Sequence, residues 1–201
     1  MSKKYFSYWK SWNLYLCLCL GLGLYFVNVA AHAGIYFQHS VNVNNSTDNA
    51  EQGTYNIMRN FLFLGAGVGI NQQFVIGQSV VIWNKTNKVG ETDSKIAVTE
   101  LGPRAIYFFD LGRTFAVSAA YHPYAKGTRT MAGGEQEKIS GSAYFASINY
   151  QLKLSKQIYA GAALIYHVFT VSESTVGETK SDVNHTYTSY YPVLEFSFRF
   201  R

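Results

Sequence analysis

The last twelve residues, YYPVLEFSFRFR, alternate between two kinds of side chain almost without interruption. The even positions are Tyr190, Pro192, Leu194, Phe196, Phe198 and Phe200, and the odd positions are Tyr191, Val193, Glu195, Ser197, Arg199 and Arg201. Successive side chains of a strand point to opposite faces, so this period of two predicts a β-strand. One face is a row of phenyl rings, which needs either a protein core or lipid around it.

The same kind of pattern predicts eight strands, and most of them exceed the usual length of strands in globular sheets. They are expected at 35–43, 55–70, 74–85, 95–109, 114–129, 139–153, 157–173 and 186–200. No helical periodicity of useful length occurs beyond Gly34. The sequence therefore predicts an all-β protein.

Long and short connections alternate along these strands. The long, polar ones are 44–54, 86–94, 130–138 and 174–185, and the short ones are 71–73, 110–113 and 154–156. All the long connections then fall at one end of the fold, as do the external loops of a membrane barrel with short periplasmic turns. We therefore expect an eight-stranded antiparallel up-and-down transmembrane β-barrel.

The outward residues, aligned by height, form two aromatic girdles separated by aliphatic side chains. The expected girdle residues are Tyr121, Tyr144, Tyr166 and Tyr190 near the looped end, and Phe109, Phe115, Tyr150, Phe198 and Phe200 near the turn end. Such belts are typical of the two membrane interfaces, so the C-terminal phenyl row is expected to face lipid. The third strand, FVIGQSVVIW, is apolar on both parities, and its orientation stays open.

Residues 1–33 have the pattern of a secretory signal peptide, which leaves 34–201 as the barrel domain. The signs are a basic start at Lys3, Lys4 and Lys10, an apolar run over 14–29, and small residues Ala31 and Ala33 at the expected cleavage site. The apolar run is shorter than the ~20 residues of a membrane helix, which disfavours an N-terminal anchor.

Removal of the leader would change both the cysteine content and the net charge of the chain. Both cysteines, Cys17 and Cys19, lie in the leader, so no disulfide is expected in the mature chain. The leader also carries three of the 17 basic residues and none of the 12 acidic ones, which leaves a net charge of about +2. Nucleic acid is therefore not an expected partner.

The inward parity predicts a polar network in the lumen, carried by Glu100, Arg104, Glu195 and Arg199. Glu100 and Arg104 share a face of their strand, as do Glu195 and Arg199, and because unpaired buried charges are costly we expect a lumen network of ion pairs. Eight strands enclose a space that side chains nearly fill. A structural plug is therefore favoured over a narrow gated conduit for small solutes.

No compact catalytic or metal-binding constellation is visible in the sequence, so a non-enzyme without cofactor or metal is expected. The scattered candidates are His122, His167 and His185 with Ser140, Ser142, Ser172 and Ser174. None of these serines and histidines has the spacing of a nucleophile and its base. A lipid-modifying enzyme is therefore kept only as an alternative. The GAGVG stretch at 65–69 lies inside a predicted strand. We therefore interpret it as small inward-facing residues of the barrel and not as a dinucleotide-binding loop.

As a whole, the mature chain resembles the small eight-stranded outer-membrane barrels of diderm, Gram-negative bacteria. The relatives in question are outer membrane proteins X and W and the transmembrane domain of outer membrane protein A. The resemblance implies insertion by the outer-membrane assembly machinery, which reads an aromatic C-terminal strand such as that of Phe196, Phe198 and Phe200. Here Arg201 follows, where the family usually ends on the aromatic residue.

The resemblance further implies a monomer in the cell outer membrane, in contact with outer-membrane lipid and lipopolysaccharide. Its expected role is envelope structure, or surface interaction through four external loops. An alternative of another class is a soluble periplasmic lipocalin-like binder. That protein would place the phenyl row around a ligand instead of in lipid.

Overall fold

A computed structural model of the chain describes residues 34–48, 53–68, 71–89, 92–130 and 136–200. The expected signal peptide, with Ala31 and Ala33, lies outside the described residues, as does Arg201. Within the described ranges there is no helix long and apolar enough to cross a membrane.

Eight antiparallel strands close into a single barrel, in which each strand pairs with its neighbours in sequence and the last pairs with the first. They are β1 (Ile35–Asp48), β2 (Gly53–Val68), β3 (Phe74–Val89), β4 (Thr92–Phe108), β5 (Phe115–Thr130), β6 (Gln136–Lys153), β7 (Ile158–Val176) and β8 (Thr179–Phe200). This up-and-down order confirms the expected all-β fold class.

Three of the four polar connections predicted as long loops, 44–54, 86–94 and 174–185, consist mostly of strand residues, which corrects that prediction. The clearest case joins β7 to β8, where only Gly177 and Glu178 separate Val176 from Thr179. Gly177 adopts a φ of 58°, which glycine reaches without the steric cost that a side chain imposes. The described strands therefore extend beyond the expected loop boundaries, and β7 and β8 are joined by a tight hairpin turn.

The seam between β1 and β8 is shorter than the other strand pairings. It runs from the Ile35–Phe200 pair to the Val41–Leu194 pair, whereas β1 pairs with β2 along its whole length to Asp48. Just above the last pair, the Asn42 side chain donates a hydrogen bond of 2.8 Å to the backbone oxygen of Pro192.

A bulge in β5 accommodates one of the strand prolines. The register of β5 shifts between His122 and Ala125 against β6, and across the same stretch against β4. Pro123 and Tyr124 are both exposed there, which marks the change of parity. Opposite the bulge, a Cβ on Gly102 would stand 2.0 Å from the Tyr121 carbonyl oxygen, so only glycine fits.

Side chains alternate between a filled interior and an apolar exterior. On β6, for example, Phe145, Ser147 and Asn149 are buried while Tyr144 and Ile148 are exposed. The orientation of β3, left open by the sequence, is also fixed: its buried residues are Val75, Ser79, Val81 and Trp83, and its exposed ones include Phe74, Ile76 and Ile82.

Candidate functional site

The most polar part of the described fold is the barrel interior, where charged side chains are almost completely shielded. Glu100, Arg104, Glu195 and Arg199 are all buried there. They belong to two hydrogen-bonded clusters, one around each glutamate. The sequence therefore identified residues that share the lumen, but the partners of each differ from those expected.

The first cluster centres on the carboxylate of Glu100. Its Oε1 accepts a hydrogen bond from Trp83 Nε1 at 2.7 Å. Its Oε2 lies 3.0 Å from His122 Nδ1 and 3.1 Å from His167 Nε2. Three ring nitrogens from three different strands thus converge on one side chain, so this cluster ties β3, β5 and β7 to β4 across the lumen.

With Ser79, this cluster has the serine–histidine–carboxylate order of a serine hydrolase triad. Its Oγ lies 2.7 Å from His122 Nε2, and the opposite nitrogen of that ring faces Glu100. The same oxygen is 3.3 Å from the Gly102 carbonyl. However, Ser79 is 1% exposed and His122 and Glu100 are fully buried, so no substrate reaches the hydroxyl. The arrangement is a sealed hydrogen-bond chain.

The second cluster gathers neutral side chains around Glu195. Its Oε1 accepts hydrogen bonds from Asn149 Nδ2 at 2.8 Å and from Ser40 Oγ at 3.2 Å. Its Oε2 accepts one from Gln151 Nε2 at 3.3 Å. Hydrogen bonds from β1 and β6 therefore satisfy a buried charge on β8.

The two lumen arginines are held by hydrogen bonds and aromatic faces. Arg104 donates from Nε and Nη2 to Ser118 Oγ, at 3.2 and 3.0 Å. Its guanidinium carbon lies 5.0 Å from the centre of the Phe145 ring. Arg199 donates to Gln151 Oε1 at 2.7 Å and stacks 3.8 Å above Tyr159. Cation–π contact offsets part of the cost of burying each charge.

Among the described residues, neither lumen glutamate forms an ion pair with the arginine four positions along its own strand. Glu100 contacts His122 and His167 instead of Arg104, and Glu195 contacts amides and a hydroxyl instead of Arg199. The reason is geometric, because residues four apart on a strand are separated by roughly 13 Å at about 3.3 Å per residue. Partners in a barrel come from neighbouring or opposite strands.

The aromatic side chains predicted as girdles are exposed, except Phe198 and Tyr166, which are partly buried. Near the hairpin end, the ring centres of Tyr144 and Tyr166 are 6.4 Å apart, and those of Tyr166 and Tyr190 are 4.7 Å apart. Tyr121 is paired in register with Tyr144, which makes a row across four strands.

The second aromatic row lies at the end of the barrel with the short turns. The rings of Phe115 and Tyr150 are 5.0 Å apart, while Phe109 and Phe200 are 60% and 47% exposed. Phe198 packs against Phe37 at 6.2 Å across the β1–β8 seam.

The remaining sequence candidates are not brought together. His185 lies on β8 and packs against Tyr187, at 4.5 Å between ring centres. Ser174 donates to the Glu137 carboxylate, and Ser172 to the Ser140 backbone oxygen. No group of three or more His, Cys, Asp or Glu side chains suited to a metal ion occurs within the described ranges.

Above the Tyr144 row, Arg129 and Glu137 form an ion pair between β5 and β6, with Arg129 Nε 2.6 Å from Glu137 Oε2. The hydrogen bond from Arg129 lowers the pKa of the Glu137 carboxyl below its ordinary value, and burial opposes this only in part. The same contact raises the pKa of Arg129. The carboxylate form of Glu137 is therefore the one that the fold stabilises.

Comparison with solved structures finds similar chains at TM-scores below 0.5 and low sequence identity. The β domain of the Bordetella autotransporter BrkA has a TM-score of 0.49 and 9% identity, over 84% of this chain and 99% of that one. Neisserial surface protein A has a TM-score of 0.48 and 14% identity, over 83% and 96% of the two chains.

The translocator domain of the autotransporter NalP from Neisseria meningitidis has a TM-score of 0.43 and 10% identity, over 92% of this chain and 66% of that one. No protein-family model matches the chain, and no curated protein sequence matches it. The class that the strands themselves define is an eight-stranded antiparallel β-barrel with a polar and aromatic interior.

Proposed function

We propose that this chain is a monomeric outer-membrane β-barrel with a closed lumen, which serves envelope structure or surface interaction and is not an enzyme. The observation that carries the proposal is the inversion of polarity. Buried charges such as Glu100 and Glu195 line the inside, while large apolar residues such as Ile148 and Leu194 are 66% and 62% exposed outside. A barrel in water would need the opposite distribution.

The closed lumen is supported by what fills it. Phe61, Phe63, Phe108 and Phe145 are all at most 2% exposed, and they lie in two clusters stacked within the barrel. Arg104 lies between the rings of Phe63 and Phe145, with its guanidinium carbon 5.2 and 5.0 Å from their centres. Side chains therefore occupy the space through which a solute would have to pass.

The proposed partners follow from the two ends and the outer wall of the barrel. Outer-membrane lipid covers the apolar wall, and lipopolysaccharide surrounds the hairpin end. The assembly machinery recognises the C-terminal strand that carries Phe196, Phe198 and Phe200. The hairpins that rise above the Tyr144 row are the surface available to a macromolecular partner.

Cell fractionation followed by gel electrophoresis and conductance measurement tests this proposal. We expect recovery in the outer-membrane fraction, and faster migration of the unboiled sample than of the boiled one. In planar bilayers the purified protein should give no steps of single-channel conductance. A co-expressed periplasmic protein serves as the control for fractionation. Recovery with that soluble marker would refute the membrane location, and regular conductance steps would refute the closed lumen.

A further inference from the structure

The hairpin end of the barrel contains a cavity that the closed lumen does not explain. Its volume is about 440 Å³, within the range of small-molecule sites, and it lies above the Glu100 cluster. An adjoining cavity of about 220 Å³ shares Lys85 and Tyr187 with it. We call the larger one the hairpin cavity. The side chains that matter for its chemistry are Arg59, Trp83, Lys85, Phe169, Tyr187 and Tyr191.

The hairpin cavity is positively charged without compensation. Arg59 and Lys85 line it, and no Asp or Glu of the described chain does. Arg59 is held by Tyr191, whose ring lies 3.8 Å below the guanidinium, and by a hydrogen bond of 2.9 Å from Nη1 to Asn42 Oδ1. Neither basic group is in an ion pair with a described carboxylate. Buried charge of one sign is unfavourable unless a counter-charge is bound.

The nearest acid cannot supply that counter-charge, because it is already engaged. Glu100 lies beneath the cavity floor, and both of its oxygens accept hydrogen bonds, from Trp83, His122 and His167. Arg129, at the edge of the adjoining cavity, is paired with Glu137. The positive charge of Arg59 and Lys85 is thus left for a group that enters the cavity.

The walls of the cavity are aromatic and suit a flat ring. Phe169 and Tyr187 are stacked, with ring centres 5.9 Å apart and planes 12° apart. Trp83 meets them edge-on, at 5.7 and 6.4 Å. Tyr187 lines the cavity and is only partly buried, so a ring that enters the cavity can pack against it.

From these features we propose that the hairpin cavity binds a small aromatic carboxylate. The planar guanidinium of Arg59 matches a carboxylate in a paired hydrogen-bond geometry, and Lys85 adds a second positive charge. The ring of the ligand lies against Tyr187 and the accessible part of Trp83, while the fully buried Phe169 supports Tyr187 from behind. A ringless anion would leave these walls unused, and a neutral ring would leave the charges unpaired. This inference requires the barrel fold and does not depend on its membrane location.

Trp83 makes the test direct, because its indole forms part of the cavity wall. We would titrate the full-length protein, purified from membranes into a zwitterionic detergent, with benzoate while recording tryptophan fluorescence. Benzyl alcohol is the neutral ring of similar size, and acetate and inorganic phosphate are anions without a ring. We expect a saturable change with benzoate that the other three do not produce at equal concentration. The change should be absent in Trp83→Phe, which assigns it to that indole.

Variants of the two basic residues locate the charge requirement. Arg59→Gln and Lys85→Met should each weaken benzoate binding about tenfold or more, since each removes a charged hydrogen-bond partner. Lys126→Met is the matched control, because Lys126 is exposed on the outer face of β5, where its ammonium lies 5.1 Å from the Tyr124 ring. Its affinity for benzoate should be unchanged. The heat-dependent gel shift verifies that every variant is folded.

The outcomes that overturn the proposal are equally specific. One is the absence of any saturable response to benzoate up to its solubility limit. Another is an equal response to phosphate or acetate, which would indicate an adventitious ion only. A third is unchanged affinity for benzoate in both Arg59→Gln and Lys85→Met. If Arg59→Gln fails to fold, Arg59→Lys replaces it, because lysine keeps the positive charge but lacks the planar guanidinium. Fractionation of the same preparations separates failure of this inference from failure of the proposed function.

Discussion

His122 and Glu100 meet inside the barrel with His122 Nδ1 3.0 Å from Glu100 Oε2. The bulge that begins directly after His122, at Pro123, sets the register of β5 at this point. His167 approaches the same oxygen from β7, at 3.1 Å. One carboxylate therefore joins strands that are not neighbours in the sheet.

We expect Glu100→Gln to destabilise the barrel although it conserves size and shape. The amide can accept through one oxygen only, so either Trp83 faces an N–H donor or both histidine rings must change tautomer to accept from the amide. An unsatisfied buried group costs about 1–3 kcal/mol, and the free energy of unfolding should fall by that amount. Urea unfolding of the protein in detergent micelles measures it.

Glu178→Gln is the matched control for this variant, since Glu178 is exposed in the two-residue turn between β7 and β8. Its free energy of unfolding should stay within about 0.5 kcal/mol of the parent protein. Equal stability of the Glu100 variant and the parent would contradict the assigned role of the buried carboxylate.

Arginine substitutions on the outer face of β6 should reveal where lipid meets the barrel. Ile148 lies between Tyr144 and Tyr150, one residue from the midpoint, and Ser142 points the same way beyond Tyr144. Ile148→Arg should lower stability in lipid vesicles by about 2–4 kcal/mol and Ser142→Arg by about 1 or less. A protein whose outer face meets water would tolerate both changes equally, and that result would argue against a lipid-facing wall.

Ser79 should not react as a nucleophile despite its contact with His122. A fluorophosphonate probe is expected to leave the folded protein unlabelled, because the hydroxyl is sealed from solvent. A serine hydrolase in the same detergent provides the positive control. Labelling of the native protein that disappears in Ser79→Ala would show an open path to the residue and reopen the enzymatic alternative.

The Arg129–Glu137 pair predicts a specific pH dependence. The pKa of Glu137 is lower in the folded protein than its ordinary value of 4.5, because Arg129 donates a hydrogen bond to the carboxylate. Its contribution to stability is therefore present above pH 4.5 and is lost as the pH falls through the lowered pKa.

The comparison of Glu137→Gln with the parent protein isolates this effect. The variant should be less stable by about 1 kcal/mol or less at pH 7, given the partial exposure of the pair. The difference should vanish in acid, whereas Glu178→Gln shows no such trend. A stability difference that persists unchanged at low pH would contradict the proposed link between protonation of Glu137 and the free energy of unfolding.

The alternation of side chains was sufficient to predict the number, order and orientation of most strands. It failed at β3, where Val75 and Val81 point inward while Ile76 and Ile82 point outward. Both faces of that strand are apolar, so the period of two carries no information about which is which. It also failed in the polar hairpins, where water on both sides removes the need to alternate.

Residue spacing along one strand could not identify the partners of the lumen charges, because those partners lie on other strands. Sequence placed Glu100 and Arg104 on one face, but it could not reveal that Trp83, His122 and His167 converge on that glutamate. Those contacts depend on the register between strands and on the bulge at Pro123. The proline was the available signal, since proline within a strand favours a bulge.

The short β1–β8 seam has a mechanical consequence. From Ile35–Phe200 to Val41–Leu194 it joins seven residue pairs, whereas β1 and β2 join fourteen, from Ile35–Ala66 to Asp48–Gly53. Separating β1 from β8 breaks fewer backbone hydrogen bonds than separating β1 from β2. The β1–β8 pairing therefore closes the barrel most weakly, and unfolding should begin with the separation of these two strands.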